Sequence, residues 1–376
     1  METSKEELAY AGPNKETVNV FACISCGADL NYKPGTRHLT CTYCNAENEI
    51  PDSGEPVNEN DFYEYINNSA ATSAQMTISV VSCSACGANT TIDPNIRSHS
   101  CPYCMNPLVV KDAHTDSVIQ PKAVLPFKLN KDEARNKFKA WVKGLWFAPN
   151  DLKKASVDTD RFNGMYIPYW TFDSNTQSSY IGQRGDYYYV NVNYTATENG
   201  KTVTKTRRDR KIRWHTVSGN VSHAFDDVLV IASHSLPLKY AEKLEPWDLE
   251  NLTGFNESFL GGFITEKYKV ELKEGFDTAR NKMDDHIRTL VRKNIGGDQQ
   301  RIINLNTKHS DITFKHILLP IYISAFRFKG KVYNFLVNGR TGEVQGERPY
   351  SAWKIALLVI AILAVIGVVA YFATRK

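Results

Sequence analysis

The sequence predicts an α+β protein made of two small cysteine-rich N-terminal modules, a helix-plus-antiparallel-sheet body and one C-terminal transmembrane helix. Three observations carry this reading. All eight cysteines lie in the first 104 residues, in two quartets of identical spacing. A helix followed by proline-containing strands rich in aromatic and β-branched residues occurs twice in the body. Near its end the chain holds an unbroken run of eighteen uncharged, mostly aliphatic residues, Ile355 to Phe372.

The quartets are Cys23, Cys26, Cys41 and Cys44, then Cys83, Cys86, Cys101 and Cys104, each Cys-x2-Cys, fourteen residues, Cys-x2-Cys. A Cys-x2-Cys turn brings two sulfurs to one side of a tight loop, and two such turns complete a tetrahedral thiolate site of the kind Zn2+ prefers. Both copies continue into Gly-Ala (Gly27-Ala28, Gly87-Ala88), where glycine permits the positive φ of the knuckle. Both also place a tyrosine, Tyr43 or Tyr103, between the third and fourth cysteines. The 272 residues after Cys104 hold no cysteine and no signal peptide precedes the quartets, which argues against a secreted disulfide module. The sequence therefore predicts two zinc ribbons, residues 18–50 and 77–111, with two Zn2+ per chain. Residues 51–76 carry Asp52, Glu55, Glu59, Asp61 and Glu64 with no lysine or arginine, and read as a solvated acidic linker that leaves the ribbons mutually mobile.

At 376 residues with 42% apolar side chains the chain can build a sizeable core, and a net charge of +4 does not mark a nucleic-acid binder. The body, residues 112–350, reads as an internal duplication. Asn130-Lys131-Asp132-Glu133 is a capping-box start. After it, Ala134, Phe138, Trp141, Val142, Leu145 and Trp146 share one helical face. Shifted by 145 residues, Ala279, Met283, Ile287, Leu290 and Val291 trace nearly the same face, and Ala-Arg-Asn-Lys recurs at 134–137 and 279–282. Tyr166-Ile167-Pro168-Tyr169-Trp170 follows the first helix and Leu319-Pro320-Ile321-Tyr322 the second. In the second unit, strands 321–329, 331–338 and 343–346 are joined by turns at Gly330 and at 338–342. In the first, Asn199-Gly200 is a hairpin turn. It sets Tyr188, Val192 and Tyr194 opposite Lys211, Arg207 and Lys205, with that half of the hairpin standing in solvent.

This hairpin carries Lys201, Lys205, Arg207, Arg208, Arg210, Lys211 and Arg213 against a single Asp209 on the same strand. Such a cluster suits anionic lipid headgroups or an acidic partner, each cation near a charged membrane adding about 1 kcal/mol. Nucleic acid is the other expectation, with tyrosines on the facing strand as stacking surfaces. No catalytic set emerges. Thr195–Thr202 resembles a phosphate loop but lacks its first glycine and sits on a hairpin. His38 and His99 lie in ribbons whose quartets are complete. Asp226 and Asp227 are expected on opposite faces of a strand, and Asp284-Asp285 on a solvated helix face. The sequence thus points away from an enzyme.

The apolar run, with Trp353 before it, gives a membrane helix over 353–372, flanked by basic residues at both ends (Arg348 and Lys354; Arg375 and Lys376). Thiolate sites need a reducing compartment, so the expected arrangement is a single-pass protein of the cytoplasmic membrane with its N-terminal domains in the cytosol.

Tandem ribbons, then Trp214-His215-x2-Ser218-Gly219, Phe225-Asp226-Asp227-Val228-Leu229-Val230 and Phe314-Lys315-His316-x2-Leu319-Pro320, then a terminal hydrophobic helix, resemble a bacterial family over essentially the whole chain. Its members are often labelled transcription-factor-IIB-type zinc-ribbon proteins or relatives of the primosomal helicase. This chain has no motor motifs, and it carries two ribbons where some relatives have fewer. The resemblance implies a non-enzymatic membrane anchor or scaffold. It would recruit a flotillin-like (SPFH-domain) partner, and through it a phage-shock type protein, in envelope stress. Against that stands a membrane-associated nucleic-acid-binding protein. Each ribbon carries only two basic side chains (Lys33 and Arg37; Arg97 and Lys111), thin for phosphate contacts.

Overall fold

The computed structural model describes residues 21–374 apart from 52–56, 68–74, 92–97, 110–112, 151–161, 199, 329 and 348–349. The polar segment 1–17 and the flanking Arg348, Arg375 and Lys376 lie outside the described residues.

Ribbon 1 is an antiparallel sheet of β1 (Leu30–Tyr32), β2 (His38–Cys41) and β3 (Glu47–Glu49). Alternation gathers Leu30, Tyr32 and Leu39 on one face. A module of this size cannot bury that face itself, and the body does so. The Tyr32 ring meets Phe259 edge-on with centroids 5.3 Å apart, and its hydroxyl donates to the Thr36 carbonyl at 2.8 Å.

The acidic segment departs from the expected solvated linker. β4 (Asn60–Asp61) pairs antiparallel with Thr313 and Phe314 of the body, and α1 (Phe62–Asn67) follows at once. The Asp61 carboxylate accepts from the Glu64 amide at 2.7 Å, the N-capping geometry of a short helix. Phe62 is buried 4.6 Å from the Phe276 ring, and Tyr65 lies 5.1 Å from Phe314. Two aromatic rings thus turn part of a polar stretch into a strap on the body. Ribbon 2 comprises β5 (Gln75–Ser82), β6 (Asn89–Thr91), β7 (Ser98–Ser100), β8 (Pro107–Val109) and β9 (Ala113–Ile119). β5 pairs with β9 from Gln75↔Ile119 to Val81↔Ala113, so the module reaches beyond 77–111 at both ends.

The body comprises β10 (Ala123–Val124), α2 (Lys131–Gly144), β11 (Phe162–Glu198), β12 (Lys201–Ile231), β13 (Thr253–Gly254), β14 (Ile264–Thr265), α3 (Leu272–Ile295), β15 (Gln299–Phe328), β16 (Lys331–Asn338) and β17 (Val344–Gly346). The capping box is formed. Asn130 Oδ1 accepts from the amides of Asp132 and Glu133 at 3.0 and 2.9 Å, while Glu133 accepts from the Asn130 amide at 2.8 Å. Ala134, Phe138 and Val142 are buried, as are Ala279, Met283, Ile287 and Val291. The stripe fails at its end. α2 stops at Gly144, and Trp146, expected on the buried face, is 82% exposed.

β11 and β15 run antiparallel with Ile167 opposite Leu319, Pro168 opposite Leu318 and Tyr166 opposite Pro320. The outer edge of β11 takes β14 in parallel at Met165–Tyr166, then β12 from Tyr169. The outer edge of β15 takes β10 in parallel at Ile317–Leu318, then β16 from Ile321. A shift of 152 residues carries Met165, Tyr166, Pro168 and Tyr169 to Ile317, Leu318, Pro320 and Ile321. Each short strand that precedes a helix therefore pairs with the long strand that follows the other helix.

Strand alternation assigns the two faces. Phe162, Tyr166, Leu318 and Tyr322 pack with α2 and ribbon 1, and Trp170, Phe172 and Phe314 with α3 and the strap. Met165, Ile167, Tyr169, Ile317, Leu319 and Ile321 pack with ribbon 2. Val118 of ribbon 2 also joins the cluster of Trp170 and Phe172, so both ribbons are packed on the body and neither is loosely tethered.

β15 ends its pairing with β11 at Gly185↔Gln299. Beyond that point β11 and β12 run on as a two-stranded arm, thirteen residues on each side (186–198 and 201–213), or about 40 Å. Its register sets Tyr188 opposite Lys211, Val192 opposite Arg207 and Tyr194 opposite Lys205, as the two-residue turn predicts. The turn residue Asn199 lies outside the described residues. α4 (Ala352–Thr374) is apolar on every side and long enough to cross a membrane.

Candidate metal centres and the basic arm

Each cysteine quartet closes on itself. Cys23 and Cys44 Sγ lie 3.6 Å apart and Cys26 and Cys41 3.5 Å; in the second set Cys83 and Cys104 are 3.5 Å apart and Cys86 and Cys101 3.6 Å. A tetrahedron with metal–sulfur bonds of ~2.3 Å has sulfurs about 3.8 Å apart, so four thiolates in either cluster fit an ion such as zinc. All four Cys-x2-Cys turns share one backbone device. In the first of each pair the amides of Gly27 and Gly87, with φ of +74° and +72°, donate to the Cys23 and Cys83 carbonyls at 2.8 and 2.7 Å. In the second, Asn45 and Met105 take the same left-handed conformation (φ 59° and 68°), donating to Cys41 and Cys101 at 3.0 and 2.9 Å. Asparagine tolerates that region; methionine is strained there, and the closed quartet holds it.

The matched sequences hide unlike surroundings. In ribbon 2, Tyr103 is 3% exposed and donates its hydroxyl to Glu266 at 2.6 Å; Ser233 donates to the other oxygen of that carboxylate at 2.7 Å. Burial pushes the Glu266 pKa up despite these donors. Thr90 also bridges to Glu266 through the backbone, so ribbon 2 extends the sheet edge at β14. In ribbon 1 the matching Tyr43 is 82% exposed, and Ile24 on the neighbouring knuckle is 88% exposed. Nothing in the spacing distinguishes the two; the carboxylate that captures Tyr103 lies 163 residues away in sequence.

The seven basic residues all lie on the arm strand of β12, on both of its faces. Arg213 lies over the Tyr188 ring at 5.0 Å and Arg207 over Tyr194 at 5.7 Å; Arg210 over Tyr187 at 4.3 Å and Arg208 over Tyr189 at 4.6 Å. Each arginine stacks on the tyrosine diagonal to it across the pair, a cation–π arrangement that fixes long side chains without neutralising them. Lys205 pairs with Glu198 and Arg207 with Asp209. Lys201 and Lys211 are exposed.

The chain is similar to a curated bacterial protein. It is 28% identical over 245 residues to the "Uncharacterized protein YdjG" of Bacillus subtilis (strain 168), across 63% of this chain and 66% of that one. The match thus spans about two thirds of either chain. No family model and no solved structure matches.

The structure corrects the expectation for Asp226 and Asp227. A register shift between Phe172 and Ser174, with Asp227 at φ +50°, breaks the strand alternation. Carboxylate oxygens of Glu59, Asp173, Asp226 and Asp227 consequently gather within 4.8 Å of one another. The cation among them is Lys315, whose ammonium lies 2.7 Å from both Glu59 and Asp227. Burial, and then the hydrogen bond with Glu59, raises the Asp173 pKa to about 7. Burial also presses Glu59 upward but is outweighed by hydrogen bonds from Asp173, Lys315 and Thr313, which bring it to about 2. The pair therefore holds one proton across most of the acidic range.

Glu59 belongs to the strap, so that proton ties strap to body. Asp173, with its pKa raised above the unfolded value of ~3.9, contributes fully below that value and loses its contribution as pH rises to about 7. Glu59, with a depressed pKa, contributes above ~4.3 and loses its contribution only as pH falls toward 2. Hydrogen-exchange protection of residues 60–67, corrected for intrinsic rates, is expected to fall between about pH 4 and 7 and to level off above that. Asp173→Asn, a standing mimic of the protonated acid, is expected to flatten that fall. A profile identical in the two proteins would show that the strap is held by its rings alone.

Proposed function

We propose that this chain is a membrane-anchored zinc-ribbon scaffold with no catalytic role. α4 holds it in the cytoplasmic membrane by a single pass, and the ribbons and body lie in the cytosol. One Zn2+ occupies each quartet, a reading supported by the all-thiolate donor sets and their tetrahedral spacing. The body is an internal duplication of a strand–helix–strand–strand unit. Its support is the constant 152-residue shift relating the pairings of β11 to those of β15.

The scaffold captures a membrane-proximal protein through the tip of ribbon 1. The observation that carries this is the exposure of Ile24 and Tyr43 on adjoining knuckles, 88% and 82%, when the matching tyrosine of ribbon 2 is occupied by the body. Exposed aromatic and aliphatic side chains on a rigid support are what interface anchors are made of. The family resemblance points to an SPFH/flotillin-like partner and a role in envelope stress. The basic arm steers the body against anionic lipid or that partner.

One observation favours a second reading, a nucleic-acid-binding protein. The arm is a free two-stranded ribbon bearing arginines and tyrosines, and a ribbon of that width enters a major groove. A single set of variants separates the two. Ile24→Ser with Tyr43→Ala is expected to abolish partner capture in a crosslinking pull-down from membranes. Charge reversal at Arg207, Arg208 and Arg210 is expected to preserve that capture. The scaffold reading falls if the full chain in nanodiscs binds DNA or RNA at submicromolar Kd in ~150 mM salt and the arm reversal removes the binding; affinity weaker than about 10⁻⁵ M is ordinary non-specific attraction.

A further inference from the structure

The segment after α2 is held in place at both ends and exposed in the middle. Leu145 and Ala148 are buried, whereas Trp146 between them is 82% exposed, with Phe147 partly exposed beside it. This loop is bonded to the first turn of α4, some two hundred residues on. The Ser351 amide donates to the Phe147 carbonyl at 2.7 Å. The Lys354 ammonium donates to the Ala148 carbonyl and to Asn150 Oδ1, both at 2.8 Å, and lies 3.4 Å from the Trp146 carbonyl. Lys354 is the last charged residue before the apolar run. The remainder of α4 makes no burying contact with the body among the described residues.

We infer that the Trp146–Phe147 loop is a second membrane contact, seated in the headgroup region of the bilayer that α4 enters. The inference rests on α4 being the membrane anchor. If α4 crosses, its first turn lies at the membrane–water boundary, and the hydrogen bonds fix the loop at that depth. Trp353 and Tyr350, 61% and 58% exposed, adjoin Lys354 and Ser351 in sequence, so with Trp146 and Phe147 four exposed aromatic residues flank the bonded junction. Tryptophan prefers that boundary because its ring is apolar and its indole N–H finds a partner there. A protein partner is the less suited occupant, since headgroups already fill the space around the first turn. The loop also gives the body a fixed bearing on the membrane. A lone helix end would leave it free to swivel, whereas a clamp of four backbone and side-chain oxygens beside an inserted indole does not.

The test uses the full chain in nanodiscs of ordinary or brominated phosphatidylcholine, with bromines near the headgroup or deep in the acyl chains. Bromine quenches tryptophan only on close approach. The chain has six tryptophans, and Trp170 and Trp247 are buried. Trp146→Phe alters an exposed side chain and leaves the fold intact. It is expected to remove a share of the shallow-bromine quenching similar to that removed by Trp353→Phe, about one half each, and little of the deep-bromine quenching. Lys354→Gln, which loosens the clamp, is expected to reduce the Trp146 share and spare the Trp353 share. If Trp353→Phe removes the shallow quenching and Trp146→Phe removes none, the loop faces water and the inference is wrong while the anchor stands. If neither variant changes the quenching, α4 is not inserted and both readings fall together.

Discussion

Cys101→Ser is expected to reduce the metal content from two ions per chain to one and to unfold ribbon 2. Metal binding supplies ~10–16 kcal/mol toward folding a site of this kind, far more than strands as short as β6, β7 and β8 can replace. The loss should spread a defined distance. Tyr103 leaves Glu266, which keeps its hydroxyl donor from Ser233, and the backbone bridge at Thr90 opens. Ribbon 1 packs in a separate cluster and should keep its ion. Elemental analysis of protein purified under reducing conditions checks the stoichiometry, and proteolysis within 75–119 reports the unfolding. Two ions retained would mean that three sulfurs suffice. None retained would mean that the ribbons and body fold as one unit.

Ala364→Arg is expected to oppose insertion of α4 by ~2.5–3.5 kcal/mol, because the charge falls at mid-span with no polar side chain between Lys354 and Tyr371 to receive it. At that cost a large part of the chain should move from the carbonate-resistant membrane fraction to the extractable one. An equal substitution at Ala352, at the mouth of the helix, should do little. Indifference to Ala364→Arg would mean that α4 is packed against protein.

The two ribbons, the arm register and the α2 cap were legible in the sequence because each is a local rule. Cysteine spacing, an Asn-Gly turn and a capping box all act within a few tens of residues. What escaped was set by distant partners. The strap was hidden by its own composition: Phe62, Tyr65 and Ile66 are few among acidic residues, and the rings that receive them, Phe276 and Phe314, lie more than two hundred residues away. Asp226 and Asp227 depart from strict alternation because a bulge leaves no periodic trace in the sequence. The apolar stripe runs on to Trp146 although the helix ends at Gly144, because the period is indifferent to where a helix stops.

The crossed pairing of the body has a consequence for the order in which the protein is made. β10 leaves the ribosome early, but its parallel partner in β15 follows 194 residues later, from Ala123 to Ile317. At ~5–20 residues per second that is a wait of about 10–40 s. Through that interval β11 also lacks its central neighbour, and Leu125, Phe127 and Tyr166 lack the partners that β15 supplies, Leu318, Tyr322 and Pro320. Ribbon 1 can close around its ion meanwhile, but the surface that receives it is still incomplete, lacking Leu318 and Tyr322. The nascent chain is thus a folded metal module followed by a long adhesive segment. Its yield in a cell should depend on whatever shields that segment until Gln299 to Phe328 has emerged.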